Sequence, residues 1–524
     1  MSKINFKDMS FNYIGSYENI FENVNASIDT TWKTAIIGRN GRGKTTILKL
    51  INKQYKPSKG TVEFNGESSL FPIYIYNKKD TTINIIKDII GNYRLLEEKI
   101  DKYFKNGISE EEYLVALQEF LEIDGYNIDF LIEREIEYMG LEREILERSY
   151  GSLSGGEQTK IQIIALFLQK NNFILLDEPT NHLDVEGIEV LLNYLKKKSG
   201  FIVVSHNRYF LDALVDHVLY INKNSIGIEK GNYSSWEKNE ESKIQFEKRK
   251  KEKLEKEVKE LEKAARQKRT WSFRREKEKI GSGDKGFEGA RAARIMKRAI
   301  LIEGRIEENL NVKKELLKDY ERERKLKFES SKKGENILLV SNIVVLRGNK
   351  RVIKDLSFNI EKGDRVAIKG PNGSGKTTLL HAILGILELE EGIIKVGNRS
   401  KIVYASQFPK WANGFLRDYL KDENIDETRF RSILGCMGSD SKVFERELST
   451  FSVGELKKVD LAYCFYKDDC FQIWDEPLNG LDIASRKLIE KAILDFKPTI
   501  LFVEHDRCFI KNIATKVINL NINY

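Results

Sequence analysis

The sequence is poor in proline, in cysteine and in long apolar runs. Its seven prolines leave the stretch between Pro179 and Pro371 without one, which predicts long helices there because proline breaks helices. Its four cysteines all lie within about the last ninety residues without metal-ligand spacing, which excludes a disulfide scaffold and predicts reduced thiols. No apolar run approaches the roughly 20 residues that span a bilayer, so the pattern excludes an integral membrane protein.

The composition is that of a globular protein with several domains. Of the 524 residues, 41% are hydrophobic and 32% are charged, and a chain of this length allows roughly three domains with large buried cores. The opening residues lead into an alternating strand pattern and carry no signal peptide, so we expect a cytoplasmic protein.

The most informative feature is an internal repeat. The segment 38–45, GRNGRGKT, recurs at 370–377 as GPNGSGKT. The segment 173–179, FILLDEP, recurs at 471–477 as FQIWDEP, and the VVSH that ends at His206 recurs as the FVEH that ends at His505. Motifs that recur in the same order at nearly constant spacing indicate a tandem duplication.

Each copy of the first motif has the GxxxxGK[ST] pattern of a P-loop, between an apolar strand and a helix-forming stretch. The glycines let backbone N–H groups surround phosphate oxygens at a helix N-terminus, whose dipole favours an anion. We therefore expect Lys44 and Lys376 to reach the β- and γ-phosphates of ATP, and the next residues, Thr45 and Thr377, to coordinate Mg²⁺. The structural alternative is a glycine-rich turn without function, and the duplication argues against it.

Carboxylates follow the buried strand of each DEP motif. The aspartate is predicted to hold the metal or its waters, and the glutamate after it to polarise the attacking water as a general base. A histidine after the next apolar strand can contact the γ-phosphate, although a lone histidine is more often a packing residue. The aspartates are Asp177 and Asp475, and the predicted catalytic set is Glu178, Glu476, His206 and His505.

The run LSGGEQ at 153–158 resembles the signature motif of ABC ATPases, and NHLD at 181–184 resembles their D-loop. The resemblance covers both repeats. It implies an α/β fold with two tandem P-loop ABC ATPase domains joined by a long α-helical hairpin linker. It also implies that the cassettes face head to tail, so that each ATP lies between one P-loop and the signature of the other cassette. The ATP-binding residues that it implies are Gly38, Asn40, Gly41, Gly43, Lys44, Thr45, Thr46, Ser154, Gly155, Gly156 and Glu157 in the first repeat, and Gly370, Asn372, Gly373, Gly375, Lys376, Thr377, Thr378, Ser452, Gly454 and Glu455 in the second.

The two repeats are unequal. The second signature reads FSVGE at 451–455, so valine replaces its first glycine. Residues 61–90 contain no glutamine, whereas Gln407 fits the Q-loop of the second repeat, with Asn77 as a weak substitute in the first. Head-to-tail pairing brings both departures into the site built on Lys44, which we expect to turn over more slowly than the site built on Lys376 and Ser154. The predicted Mg²⁺ ligands are Thr45, Asp177, Thr377, Gln407 and Asp475.

Tyr13 is the predicted contact for adenine in the first repeat. It lies on the strand before the P-loop, where an aromatic ring can stack on a base. A core tyrosine is the structural alternative, and the second repeat offers only Leu346 near the same place.

Two segments lie outside the repeat. The signature serine follows the P-loop lysine by 110 residues in the first repeat (44 to 154) and by 76 in the second (376 to 452). The insertion falls near 81–125, a helix-rich stretch that resembles the arm of the ABC-F family. A charged segment over 237–333 separates ATPase domains that we place at 1–236 and 334–524. Its two runs of apolar residues at steps of three and four, with glycines between them, predict an antiparallel helical hairpin.

The tip of this predicted hairpin is basic. The segment 263–298 holds 13 Lys and Arg against 4 Asp and Glu, a net charge of +9, while the whole chain carries +8. Such a concentration points to a polyanion such as RNA phosphate, with aromatic side chains suited to stacking on unpaired bases. A solvated hairpin with an aromatic staple is the alternative. The predicted contact residues are Arg269, Trp271, Phe273, Arg274, Arg275, Lys285, Phe287, Arg291, Arg294, Lys297 and Arg298.

Two cassettes, an arm and a charged helical linker together resemble the ABC-F proteins, which act on the ribosome. The runs WSF at 271–273 and DKGFEGARAAR at 284–294 resemble the Lsa/Vga-type antibiotic-resistance members. This implies an ATPase with ATP and Mg²⁺ as cofactors that binds the exit-tRNA site of the bacterial ribosome, contacting ribosomal RNA and tRNA. It would displace lincosamides, pleuromutilins and streptogramin A compounds from the peptidyl-transferase centre, and hydrolysis would release it.

Three alternatives stay open. A housekeeping ABC-F translation factor would act on stalled or idle ribosomes without a role in resistance. The ATPase subunit of a transporter would need a membrane partner, which leaves the basic hairpin unexplained. A DNA-repair or chromosome-structuring ATPase would normally carry longer coiled coils inside each cassette. Because one chain can complete both ATP sites, we expect a monomer without a membrane partner.

Overall fold

The computed structural model describes residues 2–15, 19–105, 107, 109–222, 226–246, 249–250, 252–253, 256, 259–260, 263, 336–348, 350–397, 401–407, 411, 413–439, 441–467 and 470–520. Contacts between Cα atoms divide the chain into two compact units, of which one combines Met1–Tyr233 with Lys325–Tyr524 and the other is Ser234–Arg324. In the second unit, residues 234–246 are helical. Most of the predicted hairpin over 237–333 lies outside the described residues.

The first cassette, defined here as residues 2–233, contains both β-strands and α-helices. Its strands are β1 (Lys3–Phe11), β2 (Phe21–Asp29), β3 (Lys33–Gly38), β4 (Lys59–Phe64), β5 (Glu67–Phe71), β6 (Asn172–Asp177), β7 (Phe201–Val204), β8 (His217–Ile221) and β9 (Ile226–Lys230). Its helices are α1 (Lys44–Ile51), α2 (Thr82–Ile90), α3 (Tyr93–Phe104), α4 (Glu110–Glu122), α5 (Ile128–Tyr138), α6 (Gly155–Leu168), α7 (Val185–Lys196) and α8 (Arg208–Leu214). Short 3-10 helices cover Gly125–Asn127, Arg143–Leu146 and Tyr150–Ser152.

The second cassette, defined here as residues 336–520, repeats this arrangement. Its strands are β10 (Asn336–Arg347), β11 (Lys350–Glu361), β12 (Arg365–Lys369), β13 (Glu391–Val396), β14 (Ile402–Ala405), β15 (Phe471–Asp475), β16 (Ile500–Val503) and β17 (Lys516–Asn519). Its helices are α9 (Lys376–Ile383), α10 (Leu416–Asp422), α11 (Glu427–Cys436), α12 (Val453–Tyr466), α13 (Ile483–Phe496) and α14 (Arg507–Ile513), with 3-10 helices at Ser441–Glu445 and Leu448–Thr450.

Each cassette has one larger, mostly parallel sheet and one antiparallel sheet. The larger sheets have the strand orders β5-β6-β7-β3-β8-β9 and β14-β15-β16-β12-β17, and β9 is antiparallel to β8. The antiparallel sheets have the orders β2-β1-β4 and β11-β10-β13. The expected α/β fold with two tandem cassettes is therefore confirmed for the part of the chain that the structure describes.

The central strands are apolar along their whole length because both faces of the sheet are covered, one of them in the first cassette by α1 and the antiparallel sheet. All four residues of β7, FIVV, are buried, and so are all four of β16, ILFV. Parallel strands end at the same edge, where ligands bind in open α/β sheets. The register pairs Asp177 with Val204 and Asp475 with Val503. The segments that follow β3, β6 and β7 therefore meet at one edge, as do those that follow β12, β15 and β16.

The first cassette carries two helices, α3 and α4, between its α2 and α5. The two helices contact each other, and their side chains Leu96, Ala116 and Phe120 are buried. The hydroxyl of Tyr93 donates a hydrogen bond to the carbonyl oxygen of Ile123 at 3.0 Å. Among the described residues of the second cassette, the α-helices between β14 and α12 are α10 and α11 alone. The stretch near 81–125 is thus helical and longer than its counterpart.

Candidate functional site

Each predicted P-loop joins a central strand to a helix. The glycine before α1 or α9, Gly43 or Gly375, has a φ of +85° or +89°. A Cβ atom at Gly43 would lie 2.5 Å from Cζ of Phe21, so this position accepts only glycine. The other predicted loop glycines are Gly38, Gly41, Gly370 and Gly373, which lie between the strand and the helix of each cassette.

The lysine at the start of each helix points into its own loop. Lys44 Nζ donates hydrogen bonds to Gly38 O at 2.9 Å and to Asn40 Oδ1 at 3.1 Å. Lys376 Nζ donates to two carbonyl oxygens of its own loop at 2.9 and 2.8 Å. Burial lowers the pKa of both ammonium groups. A phosphate entering either loop would compete for donors that are already positioned around it.

The residues predicted to hold Mg²⁺ come together in both cassettes. Thr45 Oγ1 donates to Asp177 Oδ2 at 2.6 Å. Both carboxylate oxygens of Asp475 are buried, and this carboxylate interacts with the hydroxyls of Thr377 and Tyr404. Burial raises the pKa of both aspartates. Burial and the neighbouring Asp475 also raise the pKa of Tyr404 to about 12. Buried carboxylate oxygens next to a threonine hydroxyl fit a hard divalent cation.

The predicted catalytic glutamate of the first cassette, Glu178, is buried beside His206. Glu178 Oε2 accepts a hydrogen bond from the backbone N–H of His206 at 3.2 Å, and Nε2 of the same histidine lies 3.2 Å from Glu178 Oε1. Burial and the adjacent Asp177 raise the pKa of Glu178 to about 7. Burial lowers the pKa of His206 well below its usual value, with Lys44 adding to the effect, so the ring is neutral.

The predicted catalytic glutamate of the second cassette, Glu476, has an additional polar partner. Glu476 Oε2 accepts a hydrogen bond from Gln407 Nε2 at 3.0 Å, and its Oε1 lies 3.6 Å from His505 Nε2. The neighbouring His505 lowers the pKa of Glu476, although burial opposes this. The two glutamates therefore differ in electrostatic environment, because Glu476 is hydrogen-bonded as a carboxylate.

The strand register identifies which residue takes the place of Gln407 in the first cassette. Phe71 pairs with Leu176, and Ala405 pairs with Trp474, each opposite the residue before the aspartate. Counting two residues beyond Phe71 gives Ile73 in the first cassette, and counting two beyond Ala405 gives Gln407 in the second. Asn77 lies four residues beyond Ile73, where its Oδ1 accepts a hydrogen bond from the N–H of Lys79 at 3.3 Å. By this count an isoleucine corresponds to Gln407, and the expectation that Asn77 substitutes for the glutamine stays a prediction.

The signature serines cap the helices that follow them. Ser154 precedes α6 and accepts a hydrogen bond from the N–H of Glu157, whose carboxylate accepts from the serine N–H in return. Ser452 and Glu455 form the same capping box before α12. The box fixes the start of each helix, where N–H groups are available to an anion. Both glutamates, which we named as ATP contacts, use their carboxylates in these caps.

The cassettes contact each other head to tail through P-loop and D-loop. Asn40 donates its backbone N–H to Asp482 Oδ2 at 2.7 Å and its side-chain amide to Gly480 O at 2.9 Å. Reciprocally, Asn372 donates its backbone N–H to Asp184 Oδ2 at 3.1 Å and its side-chain amide to His182 O at 3.3 Å, both in the first cassette. Each predicted phosphate loop is therefore closed by the opposite cassette.

The valine of the second signature is matched by a glycine in the adjacent D-loop. In the first cassette, a Cβ atom at Gly155 would lie 3.3 Å from Cβ of His182. In the second cassette the pair is Val453 and Gly480, and a Cβ atom at this glycine would lie 3.5 Å from Cγ1 of the valine. The large and small residues are exchanged, so the valine is accommodated without a clash.

The second glycine of each signature packs on D-loop backbone. A Cβ atom at Gly156 would lie 3.2 Å from His182 O, and one at Gly454 would lie 2.5 Å from Gly480 O. The same Cβ atom at Gly454 would lie 3.3 Å from Nδ2 of Asn40. The second signature thus faces the first P-loop across the cassette boundary.

The predicted adenine contact lies beside the first P-loop helix. The hydroxyls of Tyr13 and Thr46 are 2.8 Å apart, and the ring of Tyr13 packs edge-to-face on Phe11 and Tyr55. The tyrosine remains 42% exposed, which leaves ring surface open to a base. Thr378, the counterpart of Thr46, is buried in the first turn of α9.

A cavity of about 360 Å³ lies between the two candidate sites. Glu178, Glu476 and the histidines that follow β7 and β16 line it, together with Asn181 and Asn479 of the D-loops. Arg486 and Glu504 also line this cavity, and sequence reasoning did not select either residue. A comparison of the two repeats position by position would have found them, because their counterparts, Ile188 and Ser205, carry no charge.

The predicted contacts of the linker tip, from Arg269 to Arg298, lie outside the described residues. Within the described part of the chain, no helix is long and apolar enough to cross a membrane. That same part contains no cluster of three or more His, Cys, Asp or Glu side chains arranged to hold a metal ion. Any Mg²⁺ held at Asp177 or Asp475 would therefore need further ligands from the nucleotide or from water.

Comparisons with known proteins agree with this geometry. The family model described as ABC transporter matches residues 21–181 and 353–479, which is more than half of the chain. The chain is 28% identical to ABC transporter F family member 2 of Arabidopsis thaliana over 95% of its own length and 75% of that protein. It is 30% identical to the ATP-binding protein Uup of Buchnera aphidicola over 98% of its length and 80% of the relative.

A third relative is the energy-dependent translational throttle protein EttA of Escherichia coli, at 29% identity over 95% of this chain and 89% of that protein. Among solved structures, the archaeal ribosome recycling factor aABCE1, in complex with the stalk protein aP1, matches with a TM-score of 0.57. That match covers 98% of this chain and 87% of the other at 20% identity, so it supports the tandem fold alone. Two duplicated cassettes, reciprocal P-loop contacts and these matches lead to one conclusion: the chain belongs to the ABC transporter family of ATPases, with F family members among its relatives.

Proposed function

We propose that the chain hydrolyses ATP at two composite sites, each formed by the P-loop of one cassette and the signature of the other. The observation that carries this proposal is the reciprocal contact of Asn40 with Asp482 and of Asn372 with Asp184. In each site the P-loop lysine binds the phosphates and the glutamate after β6 or β15 orients the attacking water. Mg²⁺, held by the threonine and aspartate of each cassette, would neutralise charge on the β- and γ-phosphates.

We further propose that the two sites turn over at different rates, with the Lys44 site slower. Two features of that site support this: isoleucine stands at the position that corresponds to Gln407, and valine replaces a signature glycine. Steady-state turnover of Glu178→Gln should exceed that of Glu476→Gln, because the first variant retains the faster site. Equal residual rates would contradict the proposal.

The proposed partner of this ATPase is the ribosome. The support is the similarity over nearly the whole chain to a protein named as a translational throttle, together with the net charge of +9 at 263–298. A basic segment of this density favours a polyanion, and its aromatic residues suit unpaired bases. In this proposal ATP closes the cassettes, the closed form binds at the exit-tRNA site and contacts ribosomal RNA and tRNA, and hydrolysis releases a monomeric factor.

The finer proposal is ribosomal protection. The linker tip would perturb the peptidyl-transferase centre and so displace lincosamides, pleuromutilins or streptogramin A compounds. The second candidate is a housekeeping translation factor without a role in resistance, which the name of the Escherichia coli relative favours. The two candidates share the ATPase cycle and differ in whether a bound drug leaves the ribosome.

A single experiment separates these readings. The double variant Glu178→Gln/Glu476→Gln should bind ATP but hydrolyse it slowly, so it should sediment with purified ribosomes only when ATP is present. Lys44→Ala/Lys376→Ala, which removes the phosphate contacts, is the matched control. Drug release from a lincosamide-stalled complex would support protection, and binding without release would support the housekeeping role. Absence of the double variant from the ribosome pellet would overturn the ribosomal proposal.

The linker tip has its own test. Removal of residues 270–290 takes away Trp271, Phe273 and the glycine-rich turn but leaves both cassettes intact. We expect the truncated chain to keep its ATPase activity and to lose drug protection. Retained protection would contradict a role for the tip.

A further inference from the structure

The two D-loops make matching contacts with the opposite P-loops, but the contacts that hold each D-loop within its own cassette differ. In the second cassette, Arg486 Nε donates to Leu481 O at 3.0 Å, and its NH1 donates to Asp506 Oδ2 at 3.2 Å. Glu504 Oε1 accepts from the N–H of Leu478 at 2.9 Å. Charged side chains therefore connect the D-loop that closes the first P-loop to the segment around His505.

The first cassette lacks this support at the corresponding positions. Each D-loop helix has an aspartate N-cap, Asp184 or Asp482, and the fourth residue after the cap is Ile188 in α7 and Arg486 in α13. The N-cap of the following helix is Asn207 before α8 but Asp506 before α14. An isoleucine and an asparagine cannot form the ion pair that joins the equivalent residues of the second cassette.

A buried arginine of the first cassette completes the charged group in the second. Arg208 donates to Glu490, with NH1 3.3 Å from Oε2, and its NH2 lies 3.7 Å from Asp506 Oδ2. The side chains of Arg208 and Glu490 are only 9% and 10% exposed. The matching residue of the second cassette, Arg507, pairs with Glu189, and these side chains are 41% and 35% exposed. Ion pairs in the interior are screened far less than pairs at the surface, so the two arginines are not equivalent.

We propose that Arg208 and Arg486 are positioning residues that hold the second D-loop against the first P-loop, and so control ATP hydrolysis at the Lys44 site from across the cassette boundary. Arg208, two residues after His206, pairs with Asp506, and Asp506 pairs with Arg486. Arg486 in turn contacts the D-loop, and the D-loop contacts Asn40. In this proposal, the presence or absence of a γ-phosphate beside His206 acts on the D-loop that closes the Lys44 site. For the second site, the corresponding contact of Arg507 with Glu189 is half-exposed, and position 188 holds an isoleucine that cannot continue it to the D-loop as an ion pair.

The test measures each site separately. Glu476→Gln leaves the Glu178 site active, and Glu178→Gln leaves the Glu476 site active. In the first background we expect Arg486→Ile, which copies position 188, and Arg208→Met to lower kcat about tenfold or more through misplacement of the D-loop. The KM for ATP should change by less than about twofold, because neither arginine contacts the P-loop. In the second background both variants should change kcat by less than about twofold.

Arg507→Met is the matched control, since it removes an exposed arginine at the equivalent position and should change neither background. Arg486→Lys should recover part of the lost rate, and Arg208→Glu combined with Glu490→Arg should recover more than either change alone. If Arg208→Met failed to fold, kcat would fall in both backgrounds. The charge exchange, which restores the ion pair, would then restore kcat. An equal fall of kcat in both backgrounds without such recovery, or a loss confined to KM, would overturn the proposal.

This inference rests on the proposed hydrolysis at two composite sites. If neither background hydrolyses ATP, the hydrolysis assignment itself fails. If both hydrolyse ATP and the arginine variants affect them equally, only the asymmetric control fails. The ribosomal part of the proposed function does not enter the measurement, because the rates are taken on the isolated chain.

Discussion

At the scale of single residues, position 155 of the first signature requires glycine, because the D-loop residue that faces it is large. A Cβ atom there would lie 3.3 Å from Cβ of His182, whereas Val453 of the second cassette faces Gly480. We expect Gly155→Val to lower turnover of the Lys376 site about tenfold by displacing the D-loop. The added change His182→Gly, which copies the second cassette, should restore most of it. Turnover in the Glu178→Gln background measures both, and no recovery would contradict the size argument.

A buried carboxylate away from the sites links stability to pH. Glu135 Oε2 accepts a hydrogen bond from Tyr194 at 2.7 Å and pairs with Lys198. Burial alone would raise the pKa of Glu135, but these two partners hold it below its usual value of 4.5. A lowered pKa in the folded state adds stability above pH 4.5 that is lost as the pH falls through the folded value.

We therefore expect Glu135→Gln to lower the free energy of unfolding of the first cassette by about 1–3 kcal/mol at neutral pH. The variant should also lose less stability than the parent chain between pH 5 and pH 3. Urea unfolding at several pH values, followed by a probe in the first cassette, measures both effects. An unchanged pH dependence would show that this carboxylate does not contribute. Glu133→Gln, at a half-exposed position of the same helix, is the control.

At the scale of elements, the helices α2, α3 and α5 of the first cassette are joined by one buried lysine. Lys87 Nζ lies 2.8 Å from Glu97 Oε1 and 2.8 Å from Asp129 Oδ1, and its side chain is 8% exposed. Burial alone would lower the pKa of Lys87, but the two carboxylates raise it, so the ammonium stays charged. Removal of the charge leaves two carboxylates near each other without their shared partner.

We expect Lys87→Met to destabilise α3 and α4 by about 1–2 kcal/mol while leaving the parallel sheets unchanged. Hydrogen exchange should therefore become faster in residues 93–122 and stay the same in β3, β6 and β7. Lys102→Met, the same change at an exposed position of α3, should have no effect. Faster exchange across the entire cassette would show that these helices are not a separate unit of stability.

At the scale of the whole molecule, nucleotide and cassette pairing stabilise each other because each site uses groups from both cassettes. Ligand that binds only the folded state adds about 2.7 kcal/mol at a hundred times its dissociation constant. We expect MgATP to raise the Tm of Glu178→Gln/Glu476→Gln, and removal of Mg²⁺ with EDTA to reduce that shift. Lys44→Ala/Lys376→Ala should show no shift. A shift of equal size in the lysine variant would contradict binding at the P-loops.

The parts of the site that lie close together in sequence were accessible to sequence reasoning. A P-loop is a single strand-to-helix connection, so its glycines, lysine and threonine could be named from spacing alone, and the duplication confirmed which residues correspond. The equivalent of Gln407 could not be named this way. Its place depends on the pairing of β5 with β6, which by residue count puts Ile73 there. Register is a property of two strands that lie a hundred residues apart in the chain.

The sequence by itself determined that this protein is a duplicated α/β ATPase with two P-loops, two DEP strands and one altered signature, because each of these motifs is a local pattern with its own backbone requirement. Only the tertiary structure decided how the two cassettes act on each other. The buried contacts of Arg208 with Glu490 and Asp506 join residues that are almost three hundred positions apart, and their strength comes from burial at the cassette boundary. Burial is not a property of any single segment, since it arises only when both cassettes have folded and met.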